Sequence, residues 1–263
     1  MVNLLAAAAL AAATPAGAPA QPVSEPAMFV VHDADTTIYL FGTFHALDGN
    51  EHWFDGGIRD AFENSNELVL ETLLPEGPDA AQQLKAAQPT MRPSGSFLAT
   101  TRIAISASRS QGMQVENGAD TVLRRIAESE GKPVEQLETL QFQLNMFTHL
   151  PATVSPPRNA KAGQAVEQQP AENLSHTMAA MQSAWKHGDQ KVFVQMLDEL
   201  DESSPDTYRM MFTERNARWA DWIAARLQTP GTVFVAVGAG HLAGKDSVLV
   251  RLAEKGIESR RVY

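Results

Sequence analysis

Apolar and β-branched residues near the start of the chain form two runs, residues 29–31 and 37–41, on either side of the polar segment HDADT. Such runs around a polar turn predict a β-hairpin. After a loop that contains His45, the segment GGIRDAFENS carries apolar residues at helical spacing, and the apolar run ELVLE ends at Glu71. This order predicts a β-loop-α-β unit whose two strands are parallel and adjacent.

The C-terminal end of the chain repeats this pattern. TVFVAV has the composition of a buried strand, GAGHLAGKD is a loop, SVLVRLAEKG is a helix that Gly256 closes, and ESRRVY is a last strand. We therefore predict an α/β fold in which two β-loop-α-β halves form one mixed sheet. Between them, over about residues 75–230, helical periodicity predicts a largely helical insertion with one short strand at PVEQLE.

The first twenty residues differ in composition from the rest of the chain. MVNLLAAAALAAATPAGAPA is rich in Ala and Leu and has small residues at Ala18 and Ala20. This is typical of a secretory signal peptide, although no Lys or Arg precedes the apolar run, and a disordered Ala/Pro-rich tail is the alternative. We expect residues 21–263 to form a single domain with an exposed Pro/Ala/Gln-rich loop at residues 151–173.

The length of the apolar runs after Gln21 bears on membrane insertion. None of them approaches the roughly 20 residues that span a bilayer. With the signal-like segment removed, the protein is therefore predicted to be periplasmic or secreted and to have no stable membrane span.

The charge of the chain argues against nucleic acid as a partner. Its 21 Lys and Arg against 31 Asp and Glu give a net charge of −10, which repels a phosphate backbone. The chain has no cysteine, which excludes disulfides, thiolate metal sites and cysteine nucleophiles. Neither property indicates an oligomeric state.

The pattern Gly-x-x-His follows an apolar strand in both halves, as GTFH at residues 42–45 and GAGH at residues 238–241. Ligands of open α/β sheets bind beyond the carboxyl ends of the strands, so His45 and His241 are candidate site residues. Glu71, at the end of another strand, is expected to point into the same crevice. Two imidazoles and a carboxylate predict a divalent-metal site with open coordination positions, and hydrogen-bonded histidines in solvated turns are the alternative.

Five blocks, in order along residues 37–262, resemble the TraB/GumN family, which includes the pheromone-shutdown proteins and the Tiki membrane-associated metalloproteases. The paired Gly-x-x-His motifs with an intervening Glu are the defining feature of that family. The blocks are IYLFGTFHALDGNEHWFDGGIRDAFENSNELVLET, GADTVLRRIAESEGKPVEQLETLQFQL, SAWKHGD, ERNARWADWI and TVFVAVGAGHLAGKDSVLVRLAEKGIESRRV. The resemblance implies that His45, His241 and Glu71 form the divalent metal centre of a peptidase.

Three further residues are candidates for the site. Arg215 and Asn216, in the segment ERN, match a family block, and a guanidinium there would clamp a substrate carboxylate or stabilise an oxyanion. A helix-surface pair of Arg215 with Glu214 is the alternative. Glu138, in the segment LET, is a further site acid or orients a histidine, unless it only interacts with a helix N-terminus.

These residues predict metal-assisted hydrolysis. A Mn²⁺, Co²⁺ or Zn²⁺ ion would activate a water and polarise the scissile carbonyl, with Glu71 as the candidate base if it is not a ligand. Similarity to Tiki suggests a peptide substrate, and another small acyl substrate would suit the same chemistry. The alternatives are a non-catalytic peptide- or haem-binding protein and a structural protein associated with exopolysaccharide, the context from which GumN takes its name.

Overall fold

The computed structural model describes residues 24–50, 52–75, 108–149 and 168–263, together with the single positions 79 and 82. The predicted signal peptide at residues 1–20 and most of the predicted loop at residues 151–173 lie outside these ranges. The helix that follows this loop already begins at Gln168, so the last part of the segment predicted as a loop is helical instead.

One sheet of six strands organises the fold, in the order β4-β3-β5-β2-β1-β6. The strands are β1 Met28–His32, β2 Thr36–Thr43, β3 Glu67–Leu70, β4 Val134–Gln136, β5 Gly231–Gly238 and β6 Arg260–Arg261. Strand β1 is antiparallel to β2 and to β6, whereas β2, β3, β4 and β5 are parallel. The predicted α/β class, with the two ends of the chain in one mixed sheet, is confirmed.

The predicted hairpin of β1 and β2 is present, with Val30 opposite Tyr39. The prediction that β2 and β3 are adjacent is wrong, because β5 lies between them and pairs in parallel with both. Strand β5 is buried from Val233 to Gly238, as expected for the centre of a sheet that is covered on both faces. The chain therefore places its last long strand between its first two parallel ones.

Eight helices occur among the described residues, with two short 3₁₀ segments, Val115–Asn117 and Ala239–Leu242. The helices are α1 Gly56–Glu63, α2 Ala119–Glu130, α3 Leu140–His149, α4 Gln168–Lys186, α5 Lys191–Ser203, α6 Pro205–Tyr208, α7 Glu214–Arg226 and α8 Val248–Glu254. None of the helices in this part of the chain is both long and apolar enough to cross a membrane.

The segment YRMMFTERNARWADWIAARLQ, which has the periodicity of one helix, begins with a change of helical geometry. A π-helical turn at Arg209–Thr213 separates α6 from α7. Pro205 occupies the first turn of α6, where its missing N–H costs no hydrogen bond. Such π turns widen a helix locally and are frequent at functional sites, and this one directly precedes α7, which carries Arg215.

Apolar side chains cover both faces of the sheet, so the architecture has three layers. Alternate residues of a strand point to opposite faces, and Phe41 and Leu40 of β2 accordingly belong to different apolar clusters. The cluster with Phe41 contains residues of α1, α2, α4 and α5, and the cluster with Leu40 contains residues of α7 and α8. Since both clusters rest on β5, the ends of the parallel strands are held in a rigid frame.

Candidate functional site

Three neighbouring parallel strands end at the same edge of the sheet. The last residue of β2, Thr43, is in register with Gly238, the last residue of β5, and Leu70 at the end of β3 pairs with Ala236. His45, Glu71 and His241 follow these three strand ends by one to three residues. The topology therefore places all three predicted residues beyond the carboxyl edge of the sheet, where ligands of α/β proteins bind.

Gly238 lies at the centre of these residues. A methyl group on Gly238 would be 3.2 Å from both Glu71 Oε1 and His45 Nε2, and 3.7 Å from His241 Cδ2. The backbone N–H of Gly238 donates a hydrogen bond of 2.7 Å to Glu71 Oε1. We call this space the Gly238 cradle, because the absence of a side chain there lets two imidazoles and a carboxylate approach each other.

Hydrogen bonds fix the orientation of the His241 ring. His241 is buried, and its Nδ1 lies 2.6 Å from Asn216 Oδ1. The Asn216 amide nitrogen donates to the backbone carbonyl of Asp246, so its oxygen must face the histidine. Nδ1 of His241 therefore carries the proton, and the lone pair of Nε2 accepts from Arg215 Nη1 at 3.2 Å, with Glu71 Oε1 3.7 Å away. Asn216 sets the tautomer that a metal ligand requires.

His45 has an acidic partner that sequence reasoning missed. Asp120, in the first turn of α2, lies 3.2 Å from His45 Nδ1, and the opposite nitrogen, Nε2, faces the Gly238 cradle. The His45 side chain is 60% exposed, in contrast to His241. Asp120 is 75 residues away along the chain, and nothing in its local sequence distinguishes it from an ordinary acidic residue in a first helical turn.

Arg215 connects the predicted acids to His241. Its Nη2 donates to Glu71 Oε2 at 2.8 Å, its Nε donates to Glu138 Oε2 at 2.9 Å, and its Nη1 is 3.2 Å from His241 Nε2. The guanidinium also stacks on the Trp219 ring at 4.6 Å. Arg215 is thus a buried residue that connects the members of the site. It is not part of an exposed pair with Glu214, which was the alternative prediction.

Glu138 is buried and contacts arginines instead of a histidine. Besides Arg215, it accepts a hydrogen bond of 3.2 Å from Arg218, whose guanidinium lies over the Phe142 ring. Its backbone N–H donates to the carbonyl of Glu71 at 2.9 Å, which ties the ends of β4 and β3 together. Glu138 therefore orients Arg215, and through it Glu71, within a network of charge-assisted hydrogen bonds.

The buried charges shift the pKa values of the site in opposite directions. Burial acts to raise the pKa of Glu71, but the charges of His241 and Arg215 outweigh it and lower the pKa to about 2. Burial lowers the pKa of His241 to about 3, so its imidazole is neutral at physiological pH. For His45, desolvation acts to lower the pKa, but the carboxylate of Asp120 raises it above the ordinary value.

One observation favours the binding of a metal ion by these residues, and another opposes it. The donor types suit a divalent first-row ion, and the Nε2 atoms of His45 and His241 both face the region of the Glu71 carboxylate. In the described ranges, however, no three His, Asp or Glu side chains are arranged to hold a metal ion, and Arg215 Nη1 occupies the lone pair of His241. The donor set fits an ion in chemistry and direction, provided that the guanidinium withdraws.

Asn216→Ala would weaken the binding of a metal ion at His241 by about 10- to 100-fold, because the tautomer of His241 is then no longer fixed. The variant also leaves His241 Nδ1 and the Asp246 carbonyl unpaired, which is expected to cost about 1–3 kcal/mol of unfolding free energy. Calorimetric titration with Mn²⁺ or Zn²⁺ and urea denaturation measure the two effects. Asn64→Ala, which removes an exposed amide from the end of α1, is the control and should leave metal affinity unchanged.

The fold and this cluster define an α/β protein with two Gly-x-x-His motifs and a buried Glu–Arg–Glu network at one sheet edge. A sequence model of the TraB/PrgY/gumN family matches residues 27–102 and 83–261, and the chain belongs to that family. The family resemblance predicted from the motifs is therefore confirmed. Comparison with curated proteins and with solved structures gives no match.

Proposed function

We propose that this protein is a divalent-metal-dependent hydrolase of acyl bonds, most simply a peptidase. The observation that supports the proposal best is the convergence of His45, Glu71 and His241 on the Gly238 cradle. These residues follow three different strand ends and lie at separate positions along the sequence. Their shared position is explained by a common ligand.

His45, Glu71 and His241 would hold the ion. A Mn²⁺, Co²⁺ or Zn²⁺ ion bound there would supply Lewis acidity and a water of lowered pKa. With a pKa of about 2, Glu71 is a weak base, which favours the role of a ligand over that of a general base. Because a ligating imidazole must be deprotonated, His45 would give up its proton when the ion binds.

Arg215 would supply positive charge at the reaction centre. Its guanidinium lies within 3.2 Å of His241 Nε2 and within 2.8 Å of Glu71 Oε2, and Glu138 holds it from the opposite side. With Nη1 withdrawn from His241 and Nε still held by Glu138, the guanidinium would stabilise the oxyanion that forms when an acyl carbonyl is attacked. The role of a clamp for a substrate carboxylate is less favoured, because the donors of Arg215 already have partners within the fold.

Haem binding is the less favoured alternative. An axial histidine needs free space on its lone-pair side for the plane of the macrocycle. Nε2 of His241 has Arg215 at 3.2 Å and Glu71 at 3.7 Å instead, and a macrocycle needs far more room there than a single ion does. Binding of a peptide without turnover remains the rival that an activity assay must separate from hydrolysis.

Hydrolysis of a fluorescence-quenched peptide library and of p-nitrophenyl butyrate, with EDTA or with added Mn²⁺, Co²⁺ or Zn²⁺, tests the proposal. We expect cleavage that EDTA abolishes and that one of the three ions restores. Preference for the library over the ester supports a peptidase. Intact peptide after prolonged incubation with each of the three ions would contradict the proposal and favour binding without turnover.

Gly238→Ala is a variant that tests the cradle itself. Gly238 has φ −51°, which alanine adopts without strain, but the added methyl would lie 3.2 Å from Glu71 Oε1 and His45 Nε2. Displacing either group is expected to reduce kcat/KM about 100-fold while the far-UV circular dichroism stays unchanged. Gly240→Ala, whose methyl first meets the Phe212 ring at 3.3 Å, is the control. Equal loss in both variants would show that the cradle has no special role.

We further propose that the protein is exported and that residues 1–20 are removed during export. The apolar, small-residue composition of this segment supports the proposal. Mass spectrometry of protein isolated from the producing cell tests it, because a mature N-terminus near residue 21 is expected. Recovery of the intact segment from the cytoplasm would contradict it.

A further inference from the structure

Thr43 carries a buried hydroxyl that no hydrogen bond satisfies within the described part of the chain. The residue is 2% exposed, and its Oγ1 has no partner there. A buried hydroxyl without a partner is unfavourable, because it has lost its hydrogen bonds to water and gained none in return. Valine has nearly the same shape and would fill the position without this cost. The hydroxyl therefore needs an explanation.

The position of Thr43 in the sheet supplies an explanation for this hydroxyl. Thr43 is in parallel register with Gly238, so the two residues lie side by side on neighbouring strands, about 4.8 Å apart. Phe41 of β2 and Ala236 of β5 are also in register and share one apolar cluster. Because side chains two residues apart point to the same face, Thr43 and the open side of Gly238 also share that face. The Thr43 side chain therefore stands beside the Gly238 cradle.

The other buried side-chain atoms without a hydrogen-bond partner also bear on the position of the site. Buried side-chain atoms without a partner in the described ranges belong to Thr43, Thr72, Trp219 and Arg251. Thr72 directly follows Glu71, and Trp219 contacts both Arg215 and the His241 ring, the latter at 4.4 Å. The groups of Thr43 and Trp219 thus adjoin the site, and Thr72 follows the site residue Glu71 along the chain.

We propose that the Thr43 hydroxyl donates a hydrogen bond to the carbonyl oxygen of an acyl substrate bound at the Gly238 cradle. The proposal rests on the proposed hydrolase function and adds a substrate-contacting residue to it. The β-branched side chain of threonine is restricted at χ1, so the hydroxyl is held in place before the substrate arrives. A donor fixed in advance contributes more to stabilisation of the transition state than a mobile donor in solvent.

Thr43→Val and Thr43→Ser test the proposal, with Thr36→Val as a matched control on the same strand. Thr36 is also 2% exposed, but its hydroxyl donates to the carbonyls of Leu227 and Thr229. We expect Thr43→Val to lose about 10- to 100-fold in kcat/KM on the peptide that the wild type cleaves best, and Thr43→Ser to retain most of it. The urea midpoint of Thr43→Val should equal or exceed that of the wild type, whereas Thr36→Val should be less stable and fully active.

Each other outcome overturns the proposal in a recognisable way. Wild-type activity in Thr43→Val would overturn the role of the hydroxyl and leave the hydrolase function standing. Loss of stability in Thr43→Val as large as in Thr36→Val would mean that the hydroxyl is already bonded in the empty fold. Equal losses of activity in the Val and Ser variants would assign the effect to side-chain shape. A wild type without hydrolytic activity would overturn both the hydrolase function and the proposal.

Discussion

Replacing Arg215 with methionine is expected to lower the free energy of unfolding by about 3–5 kcal/mol, because it leaves the buried carboxylate of Glu138 and the largely buried carboxylate of Glu71 without their shared cation. The substitution keeps most of the aliphatic volume, so a cavity contributes little to the loss. Arg218→Met is the control. Arg218 also contacts Glu138, but its side chain is 45% exposed, and its loss should cost at most about 1 kcal/mol.

The Arg215 variant should also change how stability depends on pH. The pKa of Glu71 is about 2 in the fold against an ordinary value of 4.5, so its contribution is complete above pH 4.5 and is lost as the pH falls toward 2. His241, with its pKa lowered from 6.5 to about 3, adds a loss as the pH falls from 6.5 toward 3. Removing the guanidinium raises the pKa of Glu71, so Arg215→Met should lose less stability than the wild type between pH 5 and pH 3.

Urea denaturation of the wild type and of both arginine variants at pH 7, pH 5 and pH 3 measures these effects. The difference in unfolding free energy between the wild type and Arg215→Met should become smaller as the pH falls. If Arg215→Met were as stable as Arg218→Met at pH 7, the guanidinium would not be the charge that holds the two acids together.

His45→Ala and His241→Ala are each expected to lower hydrolysis by more than about 100-fold and to abolish binding of the activating ion. His45→Ala is the cleaner variant, because its side chain is 60% exposed and its removal should change the unfolding free energy little. His241→Ala should also be less stable, since it leaves Asn216 Oδ1 unpaired. Steady-state kinetics at saturating metal and calorimetric metal titration measure the two losses.

His187→Ala is the control for both histidine variants, because His187 is exposed and its Nδ1 bonds to the carbonyl of Ser183. His187→Ala should hydrolyse substrate and bind the metal ion as the wild type does. Retention of hydrolysis in both His45→Ala and His241→Ala would contradict the assignment of the reaction to this edge of the sheet.

The sequence predicted the strand ends better than the order of the strands. Apolar runs that end at Gly42, Glu71 and Gly238 located β2, β3 and β5, since such a run ends where the buried backbone leaves the sheet. The position of β5 between β2 and β3 follows from pairing across more than 160 residues, which local periodicity does not encode. The observed strand order places the three motif residues after consecutive strands, so they lie closer together than in the predicted order.

The residues of the site were easier to predict from the sequence than the contacts between them. Arg215 and Glu138 were recognisable from short motifs, but their pairing depends on how α7 packs against the end of β4. Asp120 and Thr43 had no distinguishing signal. An acidic residue in a first helical turn and a threonine in a strand are common, and only the folded register shows that one bonds His45 and the other lies beside Gly238.

We propose that His45, Glu71 and His241 form one divalent-metal site. Elemental analysis of protein purified without chelators or metal-affinity resin tests it most directly, on the wild type and on the His45→Ala, His241→Ala and His187→Ala variants. We predict about one transition-metal ion per chain in the wild type and in His187→Ala, and none in the other two variants. Equal metal content in all four proteins, or a wild type without metal that also fails to bind added Mn²⁺, Co²⁺ or Zn²⁺, would contradict the claim.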